Sequence, residues 1–208
     1  MSWELWLVFV PACFALNMAP GPNNLLAMSN GVRFGFPRAA VAGGGRLVAF
    51  AAMIALTAVG LGALLAASET AFHVIKWCGA VYLVYLGVKL WRTRPDLDFA
   101  AAADARPATP LAVLLRQEFL IAASNPKAIL IFTAFFPQFL VPGQPAFAEF
   151  AVMGATFLVL EAAALAIYAI SGRQLAFLTR TERGQRLISR VSGGMLVGAG
   201  VLLATARR

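Results

Sequence analysis

The sequence of 208 residues has little charge and few of the side chains that bind metals or perform catalysis. Only 12% of its residues are charged, compared with about 25% in soluble domains. It contains one histidine, His73, and two cysteines, Cys13 and Cys78, which are far apart and in apolar surroundings. We therefore expect two buried thiols, no metal, no cofactor and no enzymatic activity, because a zinc site or a hydrolytic constellation needs more such side chains.

Apolar residues dominate instead, at 61% of the chain with a mean hydropathy of +0.79. This composition predicts an integral membrane protein. A net charge of +8 would suggest nucleic acid in a soluble chain, but basic and aromatic residues are not interleaved here, so we expect no nucleic acid partner. No basic residue precedes Arg33, and Glu4 occupies the place of a basic leader segment, so no cleavable signal is predicted.

Six apolar stretches are long enough to cross a bilayer, which takes about 20 residues. They cover residues 3–29, 47–67, 72–90, 113–136, 147–171 and 187–205. The segment between the third and fourth stretches carries three prolines and three aspartates, a composition typical of a linker. The predicted fold is an all-α membrane protein with two three-helix halves, residues 1–92 and 113–208, joined by a cytoplasmic linker at 93–112.

The basic residues predict the topology. Thirteen of the 17 flank three connections: Arg33, Arg38, Arg46; Lys89, Arg92, Arg94, Arg106, Arg116; and Arg173, Arg180, Arg183, Arg186, Arg190. Only Lys76, Arg207 and Arg208 lie on the other side. The positive-inside rule places the three connections in the cytoplasm and both termini outside. Each half has an odd number of helices, so the second half is inverted relative to the first.

Two polar motifs interrupt apolar stretches: Ala19-Pro20-Gly21-Pro22-Asn23 in the first and Ser124-Asn125-Pro126-Lys127 in the fourth. Proline removes a backbone donor and clashes with the preceding turn, so both helices are predicted to break there. Broken helices in matching positions of two halves indicate the binding site of a secondary transporter.

The predicted substrate-binding residues come from these two motifs. They are Asn17, Pro20, Gly21, Pro22, Asn23, Asn24, Asn125, Pro126 and Lys127. The start of a half-helix attracts a carboxylate, and asparagine can bond both a carboxylate and an ammonium group, which suits an amino acid. The alternative is a structural kink in which the asparagines satisfy the broken backbone and Lys127 caps or pairs.

Three further charged residues lie in or beside the apolar stretches. Glu161 lies near the centre of the fifth apolar stretch. It could be a proton carrier, a ligand for a substrate ammonium group or the ion partner of Lys127. Arg46 precedes a full-length span, so we expect its side chain to reach the cytoplasmic interface. Glu118, beside Arg116, is expected to do the same.

The chain resembles the LysE/RhtB family of bacterial amino-acid exporters. The resemblance is carried by Ala19-Pro20-Gly21-Pro22-Asn23-Asn24, Ser29-Asn30-Gly31, Phe34-Gly35-Phe36, the run from Gly79 to Leu90, Ser124-Asn125-Pro126-Lys127-Ala128 and Phe136-Pro137-Gln138-Phe139. It implies efflux of an amino acid or related metabolite across the bacterial inner membrane, driven by the proton gradient, and the termini predicted to lie outside would then be periplasmic. Three residues depart from the pattern: Arg46 replaces an apolar residue, Ala49 stands near a usual glycine, and Glu118 stands where a glycine often precedes the Asn-Pro-Lys motif.

The predicted function is thus secondary transport by proton antiport, with a small-molecule substrate, protons and the lipid bilayer as partners. Two alternatives stay open: an assembly or scaffold subunit without transport, and efflux of a solute that is not an amino acid. The sequence does not specify the substrate, the proton stoichiometry or whether the protein forms a homo-oligomer.

Overall fold

A computed structural model describes residues 3–19, 21–67, 109–141 and 144–171, together with scattered positions from 81 to 92 and from 183 to 201. Within these residues the regular elements are helices, as the predicted all-α class requires. Most of the third and sixth predicted spans, most of the linker, His73 and Cys78 lie outside the described residues. The division into two inverted halves therefore stays a prediction.

The first apolar stretch contains two helices. Helix α1 covers Trp3–Met18 and helix α2 covers Pro22–Phe34, and their axes differ in direction by 60°. Gly21 caps α2 in an extended conformation, and Pro22 takes the first helical position, where its missing N–H costs no hydrogen bond. Pro20 lies outside the described residues.

Helix α3 covers Phe36–Ala67 and begins well before the predicted second span. Gly35 separates it from α2 with a φ of 79°, a conformation that glycine adopts without the steric cost of a side chain. Because α3 already starts at residue 36, Arg46 lies inside a helix and not in a connection.

The second motif also separates helices. The elements are α4 at Leu111–Ala123, α5 at Pro126–Leu130, a π-helical turn at Ile131–Phe135 and a 3-10 turn at Phe136–Phe139. The segment from Lys127 to Phe139 is bent by 53° from α4. Helix α6 covers Ala146–Ile170, close to the predicted fifth span. Helices α3 and α6 are each long and apolar enough to cross a membrane.

An aromatic core fills the space between these elements. The ring of Phe9 in α1 stacks on Phe135 and meets Phe139 edge-on, with ring centroids 5.6 and 5.0 Å apart. Phe132 similarly contacts Phe50 of α3 and Phe157 of α6. These rings fix the π-helical and 3-10 turns against the three long helices, since each edge-to-face contact has a preferred geometry.

Gly45 sets the distance between α3 and α4. A Cβ atom at this position would overlap the main-chain carbonyl of Leu115, so the two backbones are in direct contact. Small residues commonly allow such an approach between membrane helices. At the same end of the helices, Arg38 Nη2 donates to Thr109 O at 2.5 Å. The close contact brings Arg46, the next residue in α3, within reach of α4.

Candidate functional site

A small cavity lies where the two helix breaks meet. It is lined by Asn17, Gly21, Asn23, Asn24, Phe50, Asn125, Lys127, Ala128, Ile131, Phe157 and Glu161. Seven of the predicted residues are therefore brought together, including Glu161. Its volume of about 20 Å³ has room for about one water molecule. An amino acid could enter this cavity only if the surrounding helices moved apart.

The predicted prolines have a different position. Pro22 is exposed at the start of α2, and Pro126 occupies the first turn of α5. Pro22 is not among the described residues that line the cavity. Their contribution is to the backbone path, because proline fixes φ and is well suited to the beginning of a helix.

A chain of hydrogen bonds fixes the orientation of two asparagine amides. Asn125 caps α5, and its Oδ1 accepts from Lys127 N at 3.0 Å. Its Nδ2 must then face away from the backbone, and it donates to Asn23 Oδ1 at 2.6 Å. Asn23 Nδ2 is left buried, with no hydrogen-bond partner in the described part of the chain. Asn23 is thus a donor without an acceptor at the cavity wall.

Asn17 has the complementary property. Its Nδ2 donates to the main-chain oxygen of Phe157 at 3.4 Å, which fixes the amide orientation. Its Oδ1 is buried, and among the residues described it has no donor. Buried polar atoms without partners are rare in folded proteins, so both atoms can accommodate a further hydrogen bond. Among the described residues the amides that line the cavity therefore offer one unused donor, on Asn23, and one unused acceptor, on Asn17.

Side chains from three other helices donate hydrogen bonds to the main-chain oxygens at the end of α1. Asn24 Nδ2 donates to Asn17 O at 2.6 Å and to Ala19 O at 3.0 Å. Tyr168 donates from its hydroxyl to Met18 O at 2.8 Å, and Lys127 Nζ donates to Ala19 O at 3.1 Å. The last carbonyl groups of a helix have no partner within it, and a cation is favoured beside them. Asn24 and Lys127 therefore have the capping role that the structural alternative assigned to them.

The expectation that Arg46 and Glu118 reach the interface is wrong. Arg46 is 0% exposed and bonds Glu118 Oε2 through Nε at 3.1 Å and Nη2 at 2.8 Å. Its Nη1 donates to Glu161 Oε1 at 3.0 Å and to Asn24 Oδ1 at 3.3 Å, and its Nη2 also contacts the main-chain oxygen of Asn23. Neutralisation by carboxylates from two other helices allows this guanidinium to remain buried.

Glu118 and Glu161 share Arg46 but differ in their other neighbours. Glu118 also accepts from Asn30 Nδ2 at 3.2 Å, whereas Glu161 lines the cavity. The suggestion that Glu161 is the ion partner of Lys127 is replaced by the pairing with Arg46. The two basic and two acidic side chains balance in formal charge, which lowers the cost of burying them at bilayer depth.

The missed ion pair had one signal in the sequence. Arg46 and Glu118 carry opposite charges, and both lie in predominantly apolar segments, where charged residues usually pair with one another. Asn30 and Tyr168 had no comparable signal, because single polar residues near helix ends have many roles. Among the described residues, no group of three or more His, Cys, Asp or Glu side chains could hold a metal ion.

Long apolar helices around a buried, charged cavity define this chain as a polytopic membrane protein with an internal polar site. Residues 14–207 match the family described as LysE type translocator. The chain belongs to this family, as the resemblance in the sequence predicted.

Its relatives include a protein of Vibrio cholerae named only as an uncharacterized membrane protein, 35% identical over the full length of both chains. The homoserine/homoserine lactone efflux protein of Salmonella typhi is 29% identical over 100% of this chain and 99% of its own. The leucine efflux protein of an Enterobacter species is 27% identical over 90% of this chain and 87% of its own. No solved structure gives a significant match.

Proposed function

We propose that this chain exports an amino acid, or a small derivative of one, across the bacterial inner membrane by proton antiport. The observation that carries the proposal is the cavity between the two helix breaks. It combines an unused amide donor, an unused amide acceptor, a lysine and a glutamate within one apolar enclosure. A zwitterion has the matching groups, and relatives named for efflux of homoserine and leucine support this substrate class.

The substrate carboxylate binds at the α2 side of the cavity. No side chain caps the start of α2 at Gly21, so its first N–H groups are open to an anion. Asn23 Nδ2 and Lys127 Nζ supply further donors. The ammonium group binds to the Glu161 carboxylate and to Asn17 Oδ1, the amide oxygen of the lining that has no donor among the described residues.

The substrate side chain faces the apolar part of the lining. Phe50, Ile131 and Phe157 form this surface, and Ala128 leaves space beside them. An aliphatic side chain would bury apolar area against these residues. A charged side chain would have no partner there, so basic and acidic amino acids are expected to be poor substrates.

Proton coupling follows if Glu161 takes either a proton or the substrate ammonium group. A neutral carboxylic acid no longer attracts the ammonium group strongly, so protonation releases the substrate and substrate binding expels the proton. Mutually exclusive occupancy of one carboxylate produces antiport. The ionisable groups that face Glu161 from the packed helices are Arg46, Glu118, Lys127, Cys13 and Tyr168.

The inverted arrangement of two halves and the periplasmic termini are part of this proposal. The Arg38–Thr109 hydrogen bond supports it, because it joins the α2–α3 junction to the end of the linker, and both are predicted to be cytoplasmic. Removing Arg46 from the set of flanking charges leaves the strong charge asymmetry intact. Alternating access then requires the two broken helices to move relative to α3 and α6.

Purified protein in liposomes tests the function. With an imposed proton gradient, we expect uptake of at least one of leucine, homoserine and homoserine lactone, which stops when the gradient is dissipated. Metabolite profiling of medium from overexpressing cells extends the panel. If only compounds that are not amino acids become enriched outside, the substrate class is wrong. If nothing becomes enriched although the protein is inserted, a scaffold subunit is the better explanation.

Glu161→Gln tests the coupling, and Glu149→Gln is its matched control. Both acids are buried in α6, but the carboxylate of Glu149 accepts from Val141 N at 2.7 Å and lies away from the cavity. We expect Glu161→Gln to lose proton-driven transport while Glu149→Gln retains it. Proton-driven transport by a well-folded Glu161→Gln protein would contradict the role of this carboxylate.

A further inference from the structure

We propose that Arg46 is the positioning residue of the site: it competes with the substrate ammonium group for Glu161, and substrate binding transfers it wholly to Glu118. This inference rests on the proposed function, since it assumes that an ammonium group reaches Glu161. It adds a residue that does not line the cavity and gives it a role in locking the helices together.

The guanidinium is held unequally by its two carboxylates. Two of its nitrogens contact Glu118 Oε2, at 3.1 and 2.8 Å, whereas one nitrogen contacts Glu161 Oε1, at 3.0 Å. Glu118 is fixed further by Asn30. Loss of the Glu161 contact would therefore leave Arg46 paired with Glu118 through two hydrogen bonds. Loss of the Glu118 contacts would leave it only one hydrogen bond to a carboxylate.

Only one of the two carboxylates is accessible to a ligand. Glu161 lines the cavity, and its side chain is 5% exposed, whereas the side chains of Arg46 and Glu118 are both 0% exposed. An ammonium group that enters the cavity meets Glu161 and cannot meet Glu118. Competition therefore occurs at the weaker of the two ion pairs.

The charges favour a zwitterion as the competitor. Two carboxylates share Arg46, while Lys127 donates to the main-chain oxygen of Ala19 and not to a carboxylate. A bound zwitterion would supply a cation to Glu161 and an anion to Lys127. Arg46 and Glu118 then form a separate pair, so all six charges are matched. An opposite charge close by is what makes a buried charge tolerable.

The same contacts explain how substrate binding can move helices. Arg46 in α3 bonds residues of α2, α4 and α6, namely Asn23 and Asn24, Glu118, and Glu161. Its bond to Glu161 is the one that includes α6. When the ammonium group replaces it, α6 is released from this junction while α2, α3 and α4 stay joined.

Hydrogen exchange tests the lock without any substrate. Glu161→Gln and Glu118→Gln each remove one acidic partner of Arg46, so they are matched in chemistry. We expect amides in the middle of α6 to exchange about tenfold faster in Glu161→Gln, because a buried charged hydrogen bond is worth at least that factor. In Glu118→Gln the exchange of α6 should stay near the wild-type rate. Equal effects of the two variants overturn the lock.

Binding measurements test the competition. Replacing Arg46 and Glu118 together by methionine removes one positive and one negative charge, so the net charge of the site stays at zero while Glu161 loses its competitor for the ammonium group. Leucine and leucinamide should bind the double variant about tenfold more tightly than the wild type. The affinity for 4-methylpentanoate, which lacks the ammonium group, should not change.

The two proposals fail in different ways. Failure of tightening in a double variant that remains monodisperse overturns the competition, whether or not the wild type transports leucine. A faster exchange of α6 confined to Glu161→Gln supports the lock even if the substrate is not an amino acid. If the double variant does not fold, Arg46→Lys replaces it, since the three donors of a lysine ammonium group cannot make the five contacts of Arg46. Unchanged leucinamide affinity in Arg46→Lys also overturns the competition.

Discussion

Replacing Asn125 by aspartate tests whether Asn23 donates to the substrate. Aspartate caps a helix as well as asparagine, so the bond to Lys127 N is kept. The other carboxylate oxygen then faces Asn23 Oδ1, where an N–H donor previously stood at 2.6 Å. Two acceptors repel each other, so the Asn23 amide must rotate and donate to the new aspartate. The side-chain oxygen of Asn23, and not its nitrogen, then faces the cavity.

The size of the effect follows from the lost donor. A hydrogen bond from an amide to a carboxylate contributes about 1.5–3 kcal/mol. Losing it weakens carboxylate binding by about ten- to a hundredfold. Folding should change little, because the cap is retained. Asn125→Ala, in contrast, loses both the cap, at about 1 kcal/mol, and the bond to Asn23.

The assay compares KM for homoserine with KM for homoserine lactone, which has no carboxylate, in liposomes. Asn125→Asp should raise KM for homoserine far more than KM for the lactone. Ser124→Asp adds the same charge at the same break, on an exposed residue that does not contact Asn23, and controls for repulsion by the charge. An unchanged KM for homoserine in Asn125→Asp would refute the assignment of Asn23 as a donor.

Three further predictions concern the site, the packing and the topology. Lys127→Met should raise KM for homoserine by about tenfold or more and affect the lactone less, because a charged partner of the carboxylate is lost; equal effects would assign Lys127 to capping alone. Gly45→Ala should destabilise the protein by about 1–3 kcal/mol, measured by thermal unfolding, because its Cβ overlaps the main chain of α4. Gly60→Ala is the control and should be near neutral, because no atom of the described residues lies within 4 Å of the added Cβ. Cysteines at Ala102 and Gln144 should react with impermeant reagents from opposite sides of the membrane, and labelling of both from one side would contradict the inverted repeat.

The helical class and the family could be predicted from the sequence because both depend on local features. Apolar length determines which segments can cross a bilayer, and the proline motifs determine where a helix cannot continue. These features also indicated most of the residues that line the cavity. In a membrane-embedded segment, polar residues near a break have few places to go other than an interior site.

The ion pairs could not be predicted in the same way. Arg46 is separated from Glu118 by 72 residues and from Glu161 by 115, so their contact depends on how four helices pack. Considered alone, Arg46 beside a complete apolar span is best placed at the interface. The orientation of the asparagine amides could not be predicted either, because it depends on contacts between distant residues. The orientation of the Asn23 amide, for example, depends on which atom Asn125 presents to it.

The balanced charge of the site has a consequence for the response to membrane voltage. Arg46, Lys127, Glu118 and Glu161 sum to zero, so moving this cluster relative to the membrane transfers no net charge. In the proposed antiport a neutral zwitterion is exchanged for a proton, so the proton would be the only net charge that crosses. Each elementary charge gains about 2.3 kcal/mol per 100 mV. For one proton per cycle, 100 mV would sustain an outward substrate gradient of about fiftyfold without any difference in pH.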